Sequence, residues 1–358
     1  MCVLLLAQAG TGAILMRWQQ SLERELLQAW YGKAGWLLLF RPLSALYCWL
    51  AQRRRRRYLQ GQAVQWQPPV PLIVVGNITL GGTGKTPMVL WLIEFLRTRG
   101  YRVGVISRGY GGEPPRLPWQ VDPDGTAAHS GDEPLLIAQR AQVPVVIDPD
   151  RPAAARALLA YNEIDLIISD DGLQHYALGR TVELVMLDAQ RGLGNGRCLP
   201  EGPLREPPER LSSVDLIVSN GAAQDQKGRY AMQLLPTSLV HLRSGKPVPL
   251  ALWQGEREVV ALAGIGNPER FFRTLDWCGF QYDARVFADH ASYSPEILQD
   301  LPRNKTVIMT EKDAVKCRPL AQENWWYLSV EAELSDAFAS ALLALLPTVS
   351  ANPIAVQE

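Results

Sequence analysis

The chain has 358 residues, enough for two domains of ordinary size, and its 47% apolar and 20% charged composition excludes a disordered or fibrous protein. Lys plus Arg and Asp plus Glu are equal at 36 each, so the overall charge selects no class of partner. The charge is unevenly spread: residues 1–60 hold nine basic and two acidic residues, a net +7 against −7 in the remainder, which points the first segment toward an anionic surface.

Residues 2–16 are apolar, but no positive charge precedes them and a small-residue cleavage site is matched poorly, so they do not read as a secretory signal. Met16 offers an alternative start. From Trp18 the pattern is helical, with Trp18, Leu22, Leu26, Ala29 and Trp30 on one face and Gln19, Gln20, Glu23 and Gln28 on the other. Gly35 to Ala51 is almost wholly apolar. As one helix it would reach roughly 25 Å, short of the ~30 Å hydrocarbon core. Pro42 would kink such a helix and Arg41 would sit at mid-membrane. Arg53 to Arg57 follow, with Trp36, Tyr47, Trp49 and Tyr58 where interfacial aromatics belong. The reading adopted for 1–67 is a set of amphipathic helices lying in a membrane face, each Arg contributing about 1 kcal/mol against anionic head groups. A spanning helix and a soluble arm are the alternatives. Nucleic acid is not expected as a partner, because no aromatic-interleaved basic surface continues downstream.

Gln67-Pro68-Pro69-Val70-Pro71 reads as a linker, and Leu72–Val75 as a buried parallel strand. The strand runs into Asn77-Ile78-Thr79-Leu80-Gly81-Gly82-Thr83-Gly84-Lys85-Thr86, then an amphipathic helix carrying Leu90, Ile93 and Leu96 that Gly100 ends, then a strand at Val103–Ile106. Strand, glycine-rich loop, Gly-Lys-Thr and helix are the parts of a P-loop. Glycines let successive backbone N–H groups turn toward phosphate oxygens, and the helix N-terminus adds its partial positive charge. Lys85 would reach the β- and γ-phosphates of ATP and the Thr86 hydroxyl would hold Mg²⁺. The strict pattern has Gly where Thr79 stands; Gly81 and Gly82 supply the flexibility instead.

Ile164–Ser169 is a second apolar strand, ending at Asp170-Asp171-Gly172. A carboxylate at such a strand end holds Mg²⁺ in P-loop proteins, so one of the pair is expected to face the metal and the other away. Ser107-Arg108-Gly109-Tyr110 and Gly131-Asp132-Glu133-Pro134 fall at strand-to-helix transitions, where open α/β sheets place ligands. Arg108 could clamp phosphate; Asp132 reads as a base or a helix N-cap. His175 is either a group near Asp170 or a structural histidine.

The sheet pattern fades over Gln224–Gly255, which suits a linker ribbon, and resumes with a strand at Glu258–Ala263, the turn Gly264-Ile265-Gly266-Asn267 and a helix over Glu269–Trp277. No third glycine follows at dinucleotide spacing, so the turn reads as a tight βα connection, one that could still approach nucleotide or lipid. Lys305–Met309 is a further strand, ending at Thr310-Glu311-Lys312-Asp313, where Lys312 and Asp313 could contact nucleotide or cap a helix. Cys2, Cys48, Cys198, Cys278 and Cys317 are scattered and the four histidines dispersed, which indicates a reducing compartment without disulfides or a zinc site. The domains expected are 1–67, a P-loop lobe at 68–223, a ribbon at 224–256 and a C-terminal α/β lobe at 257–358.

Taken together, these motifs closely resemble the tetraacyldisaccharide 4′-kinases, the lipid A 4′-kinases of Gram-negative bacteria. The resemblance spans nearly the whole chain and includes Val75-Gly76-Asn77 leading to Thr86-Pro87, Ser107 to Tyr110, Gly131 to Pro134, and Asp170-Asp171-Gly172-Leu173-Gln174-His175. It continues through Pro200-Glu201-Gly202-Pro203-Leu204-Arg205-Glu206, Asp289-His290, and Thr310 to Ala314. In that family the Thr at position 79 is usual. The resemblance implies two α/β/α lobes joined by a β-ribbon, at the cytoplasmic face of the inner membrane. It implies transfer of the γ-phosphoryl of ATP to the 4′-hydroxyl of a tetraacylated disaccharide 1-phosphate, giving lipid IVA. It assigns Asp132 as catalytic base with His290 as its partner, and Asp170 and Asp171 as the Mg²⁺-side pair. Arg108, Arg151, Arg205 and Glu206 fall in the substrate-binding positions. A membrane-associated P-loop ATPase or GTPase switch shares the loop, the anchor and the acidic strand end, but hydrolyses nucleotide without an acceptor. A ligase or metal-delivery protein is disfavoured by the scarcity of His and Cys clusters.

Overall fold

The computed structural model describes residues 25–347 apart from Lys33; the apolar run at 2–16 and the first turns of the helix expected from Trp18 lie outside them. The helix α1 (Glu25–Tyr31) precedes a 3₁₀ turn at Gly35–Phe40 and the long α2 (Arg41–Leu59). Pro42 does not kink this segment as the sequence suggested: it sits in the first turn of α2, where its missing N–H costs nothing and its fixed φ favours the helix. Next come β1 (Leu72–Gly76), α3 (Lys85–Arg97), β2 (Val103–Ser107), β3 (Trp119–Gln120), α4 (Ala127–Ser130), α5 (Asp132–Ala141) and β4 (Val145–Ile147). They are followed by α6 (Arg151–Tyr161), β5 (Leu166–Asp170), β6 (Val182–Asp188), β7 (Leu216–Asn220), β8 (Tyr230–His241) and β9 (Pro247–Pro249). The C-terminal part holds β10 (Glu258–Ala263), α7 (Pro268–Trp277), β11 (Gln281–Val286), α8 (Pro295–Leu298), β12 (Val307–Thr310), α9 (Glu311–Cys317), β13 (Trp325–Leu334) and α10 (Asp336–Leu345).

Among the described residues these strands form one mixed sheet, ordered β11-β10-β12-β13-β8-β7-β6-β1-β5-β2-β4-β3, with β9 paired to β8. In the first lobe β1 lies between β5 and β6 and pairs in parallel with both. Its residues alternate between faces. Leu72 and Val74 join the core under α6, while Ile73 and Val75 join the core under α3 and α5. Burial on both faces is why β1 reads as an unbroken apolar run. The second lobe repeats the scheme: Val259 and Ala261 pack with Phe271, Phe272 and Leu275 of α7, and Val260 and Leu262 pack with Ala314 and Cys317 of α9.

The lobes are joined by an antiparallel ribbon of β8 and β13, whose register shifts between Ser329 and Val330. At its ends β8 pairs in parallel with β7 and β13 with β12, so the ribbon carries the sheet from one lobe to the other. Chain order and lobe membership part at the C-terminus. Helix α10 returns to the first lobe, where Phe338 is fully buried 5.4 Å from the rings of both Trp91 and Tyr230. Phe338→Ala is expected to destabilise the first lobe by about 3–5 kcal/mol. A lowered thermal-melting midpoint would show it, and an unchanged one would mean that α10 adds nothing to that core.

Candidate active site

Parallel strands in one sense bring their C-terminal ends, and the loops that leave them, to one edge. Here those ends are Gly76, Ser107, Asp170, Asp188 and Asn220, faced across the crevice by Gly264 and Thr310 of the second lobe. After Gly76 the chain turns through Asn77, whose amide donates to Gly81 O (3.3 Å) and whose Oδ1 accepts from Lys85 Nζ (3.4 Å). Gly84, at φ +92°, closes the loop directly before α3, and a Cβ there would collide with Asn220 Nδ2, which donates to Thr83 O at 3.0 Å. Thr83 Oγ1 is buried in this loop with no hydrogen-bond partner among the described residues. Thr79 is buried and bridges to Leu204, Leu80 N donates to Pro203 O, and Arg205 N donates to Ile78 O (2.7 Å). The Pro200–Glu206 motif therefore lies along the P-loop as a backing strip. Thr86 lies in the first turn of α3, half-buried.

The adjacent acids at the end of β5 part ways. Asp171 has φ +47° and faces Lys85 Nζ (3.5 Å) and Arg205 (3.1 Å). Burial raises its pKa, but Lys85 and Arg205 outweigh that and hold it at about 2. Asp170 is fully enclosed; burial first and the charge of Glu133 second push it up to about 7. Its Oδ2 accepts from Ser107 Oγ (3.3 Å) and its Oδ1 has no partner among the described residues. Asp170 is thus a buried carboxylate short of positive charge.

Asp132 opens α5 and is 4% exposed. His290, whose backbone has φ +58°, brings Nδ1 to 3.1 Å from Asp132 Oδ1 across the crevice. Burial lowers the His290 pKa, yet the Asp132 hydrogen bond and charge give a net rise. Burial raises that of Asp132, yet His290, Lys312 and Lys316 give a net fall, so the acid stays ionised. Asp132 Oδ2, buried as well, lies 3.1 Å from the same Nδ1 and 3.7 Å from Lys316 Nζ. Tyr110 packs edge-on against His290 at 4.8 Å and, with Arg108, Gly111, Ile147 and Pro149, lines a cleft of about 200 Å³. A Cβ on Gly266 would lie 3.0 Å from Gly82 N and 3.1 Å from Asp289 Oδ2, so the Gly264–Gly266 turn and the Asp289-His290 pair close on the P-loop. That turn, a tight βα connection as the sequence suggested, also forms part of the crevice wall.

Four residues expected at ligands are otherwise engaged. Arg151, expected on substrate, is 1% exposed and donates to Asp148 O (2.9 Å) and Asp170 O (3.3 Å). Burial lowers its pKa to about 10, and its place is beneath the β5 end it braces. Glu206, also expected on substrate, is buried, accepting from Tyr176 and from Gln174 (3.1 Å). Asp313, expected on nucleotide, is fully buried and accepts from Gly264 N (2.9 Å), Thr310 Oγ1 (2.6 Å) and Tyr293 (2.8 Å), which pins the Gly264 turn. Lys312 lies in the Asp132–His290 cluster rather than on the loop. In each case a short-range motif marked the residue but not which way the fold would turn it. His175 is half-buried and neutral, its pKa lowered to about 4 by burial and then by Arg151. Asn220, Asp188 and Arg191 were not singled out by sequence. Asp188 meets Arg270 of the second lobe at 2.6 Å, and Arg191 donates to Gly266 O at 3.2 Å.

A P-loop, an acidic strand end beside it and an acid–histidine pair closing from a second lobe define a P-loop phosphotransferase. The profile of the LpxK family, described as tetraacyldisaccharide-1-P 4′-kinase, matches residues 36–347, and the chain belongs to that family. A tetraacyldisaccharide 4′-kinase of Azotobacter vinelandii is 56% identical over 332 residues, covering 93% of this chain and 99% of that one. One of Pseudomonas aeruginosa PAO1 is 55% identical over 320 residues, covering 89% and 96%. The crystal structure of LpxK from Aquifex aeolicus in complex with ATP superposes with a TM-score of 0.74 at 27% identity, covering 87% of this chain and 99% of that one. These likenesses favour a kinase over the nucleotide switch considered as the alternative.

Asp170 has a sign that can be tested. Its folded pKa lies above the unfolded one, so its contribution to stability is fully present below about pH 4 and is lost as pH rises through about 7. In the absence of nucleotide and divalent cation, Asp170→Asn is therefore expected to raise the melting temperature at pH 8 and change it little at pH 5. A lower melting temperature at pH 8 would show that Asp170 is already compensated.

Proposed function

We propose that this protein transfers the γ-phosphoryl group of ATP to the 4′-hydroxyl of a tetraacylated glucosamine disaccharide 1-phosphate, forming lipid IVA. Family membership supports the reaction, and the observation that carries the chemistry is the 3.1 Å contact of Asp132 with His290 across the crevice. A sugar hydroxyl is a weak nucleophile, and an ionised carboxylate can take its proton as the new O–P bond forms. The remainder of phosphoryl transfer is positioning and charge neutralisation. The Thr79–Thr86 loop would cradle the triphosphate, its free Thr83 hydroxyl and inward N–H groups donating, with Lys85 as the fixed cation. Arg108, exposed at the mouth of its cleft, and Arg205 would meet the phosphates of nucleotide or acceptor. His175, neutral in a field of arginines, would face the same anions.

Mg²⁺ fits this donor set. Asp170 has an unpartnered Oδ1 and too little positive charge, and the Thr86 hydroxyl opens the helix after the loop. Mg²⁺ is usually held by one or two carboxylates together with phosphate oxygens and water, so no dense ligand cluster is needed. When bound, it would neutralise charge on the β- and γ-phosphates. Asp171, already paired with Lys85 and Arg205, would orient those two cations.

The acceptor is a lipid, and the first helices suit a membrane surface. Among the described residues no single helix is long and apolar enough to cross a membrane, although α1 and the 35–59 segment pass as a bent pair. Leu39 (82% exposed), Leu43, Leu46, Trp49 and Leu50 form an exposed apolar face next to Arg53, Arg54, Arg56 and Arg57. The other side of α2 is fastened to the kinase lobe by Ser44 Oγ to Cys198 O (2.7 Å) and Arg41 to Glu201 (3.2 Å). We read this as a peripheral helix at the cytoplasmic face of the inner membrane.

Purified protein incubated with labelled ATP, Mg²⁺ and tetraacyldisaccharide 1-phosphate in micelles should move label into lipid. Lys85→Ala should abolish the transfer, and Asp132→Ala should cut turnover by roughly 10²- to 10⁴-fold with ATP binding kept. Nucleotide hydrolysis without labelled lipid would replace the kinase by the switch. Separately, Leu39→Glu with Leu46→Glu should abolish co-sedimentation with anionic vesicles while micellar activity persists; retained sedimentation would remove α2 as the anchor.

A further inference from the structure

Lys312 sits where two sets of contacts meet. Its Nζ is 3.1 Å from Glu133 Oε1, 3.1 Å from Asp289 Oδ1 and 3.2 Å from His290 Nε2, with Asp132 Oδ2 at 3.9 Å. Its ammonium is strongly held in the charged form: burial opposes the charge, and Glu133, Asp132 and Asp289 more than restore it. An ammonium has three N–H donors and no lone pair, so toward Nε2 it can only donate. A ring nitrogen that accepts carries no proton. The imidazole proton is therefore on Nδ1, and Nδ1–H donates to Asp132 Oδ1 at 3.1 Å. One contact fixes the sense of the other, and keeps the Asp132 carboxylate beside the ring, its buried Oδ2 also 3.1 Å from Nδ1 and 3.7 Å from Lys316 Nζ.

We propose that Lys312 is a positioning residue for phosphoryl transfer, holding His290 in the Nδ1–H tautomer so that His290 in turn holds the Asp132 carboxylate oriented to take a proton. The inference rests on the proposed function and refines its acid–histidine pair. It also orders the proton's path. The electron pair of the sugar O–H bond is left on oxygen as that proton goes to the Asp132 carboxylate. The same oxygen forms its bond to the γ-phosphorus while the bond from that phosphorus to the β-bridging oxygen breaks, releasing ADP. His290 keeps its Nδ1 proton throughout. Imidazolium would place an Nε2–H against the Lys312 ammonium, so this arrangement belongs to the neutral ring.

The charged neighbours define what removing Lys312 would do. Glu133 comes from α5 and Asp289 from the loop before His290. Lys316 of α9 lies 3.7 Å from Asp132 and 3.3 Å from Asp313. Tyr293 donates to Asp313 and lies under Lys316, and Tyr110 meets His290 edge-on. Without Lys312, Glu133 and Asp289 lose the lysine they contact, Asp132 keeps only the more distant Lys316, and Asp132 becomes easier to protonate.

The test uses the full chain in micelles with tetraacyldisaccharide 1-phosphate, comparing Lys312→Met, Lys312→Arg and Asp132→Asn. Lys312→Met is expected to lower kcat by roughly tenfold to a hundredfold, move the acidic limb of the kcat–pH profile to higher pH, and leave the KM for ATP within about twofold. Lys312→Arg, which keeps the charge, should restore the position of that limb. Weakened ATP binding with an unmoved pH profile would return Lys312 to the nucleotide site, and full activity in Lys312→Met would remove it from the reaction. Loss of rate in both Lys312 variants with an unmoved profile would reduce its role to bridging the lobes, and overturn the proposal. Asp132→Asn separates the two levels: full activity there would sink the base assignment itself, whereas failure of the Lys312 variants alone would leave it standing.

Discussion

Two neighbouring carboxylates at a buried strand end cannot both be ionised without compensation, and the site is organised around keeping Asp170 and Asp171 in different surroundings. The left-handed turn at Asp171 sends its side chain toward Lys85 and Arg205, while Asp170 stays in the dry interior with Ser107. Much of the crevice follows from that division. Lys85 is held between Asp171 and Asn77 over the loop, and Arg205 is tied both to Asp171 and, through its backbone, to Ile78. Asp170 is left with a charge deficit that a cation at the nucleotide would fill.

The second consequence concerns the lobes. The chemistry proposed needs groups from both, because the loop and Asp132 lie in the first lobe and His290 and Lys312 in the second. Several contacts hold them together: Asp188 with Arg270, Arg140 with Glu311, Glu133 with Lys312, and Arg191 with Gly266. These bridges are polar, but Asp188 is 3% exposed and Glu311 13%, so several of the charges are buried. Parting the lobes would leave buried charges unpaired and uncover Val315 of α9, which packs in the first lobe's core, so such movement would need those groups to find other partners. The β8–β13 ribbon, continuous with both sheets, supplies the fixed connection around which such movement would occur.

A further constraint acts at the surface. Helix α2 must present apolar residues outward, which would normally be a liability in water. Its inner side is held by polar bonds from Ser44, Arg41 and Arg55 and by the packing of Tyr58 against Tyr176. The helix is therefore attached to the kinase lobe while its apolar face stays available, an arrangement that makes sense when the acceptor is itself dissolved in a membrane.

Local pattern alone determined a good part of this protein. The apolar runs at 72–75, 103–106, 164–169 and 258–263 became strands because buried parallel strands are apolar on both faces, and the glycines with Lys85 and Thr86 identified the phosphate loop because only that backbone turns its N–H groups inward. Tertiary structure decided the rest, since side-chain direction depends on contacts far away in sequence. Asp132 and His290 are 158 residues apart and meet only because the loop leaving β11 reaches across the crevice to the start of α5. Arg151, Glu206 and Asp313 carry the same chemistry as ligand-binding residues, yet packing turned them inward to brace the β5 end, the P-loop backing and the Gly264 turn. Helix α10 has an apolar face that would suit either lobe, and only the path of β13 returns it to the first. Periodicity and motif are short-range properties of the chain, whereas which charge meets which is settled by where the folded strands end.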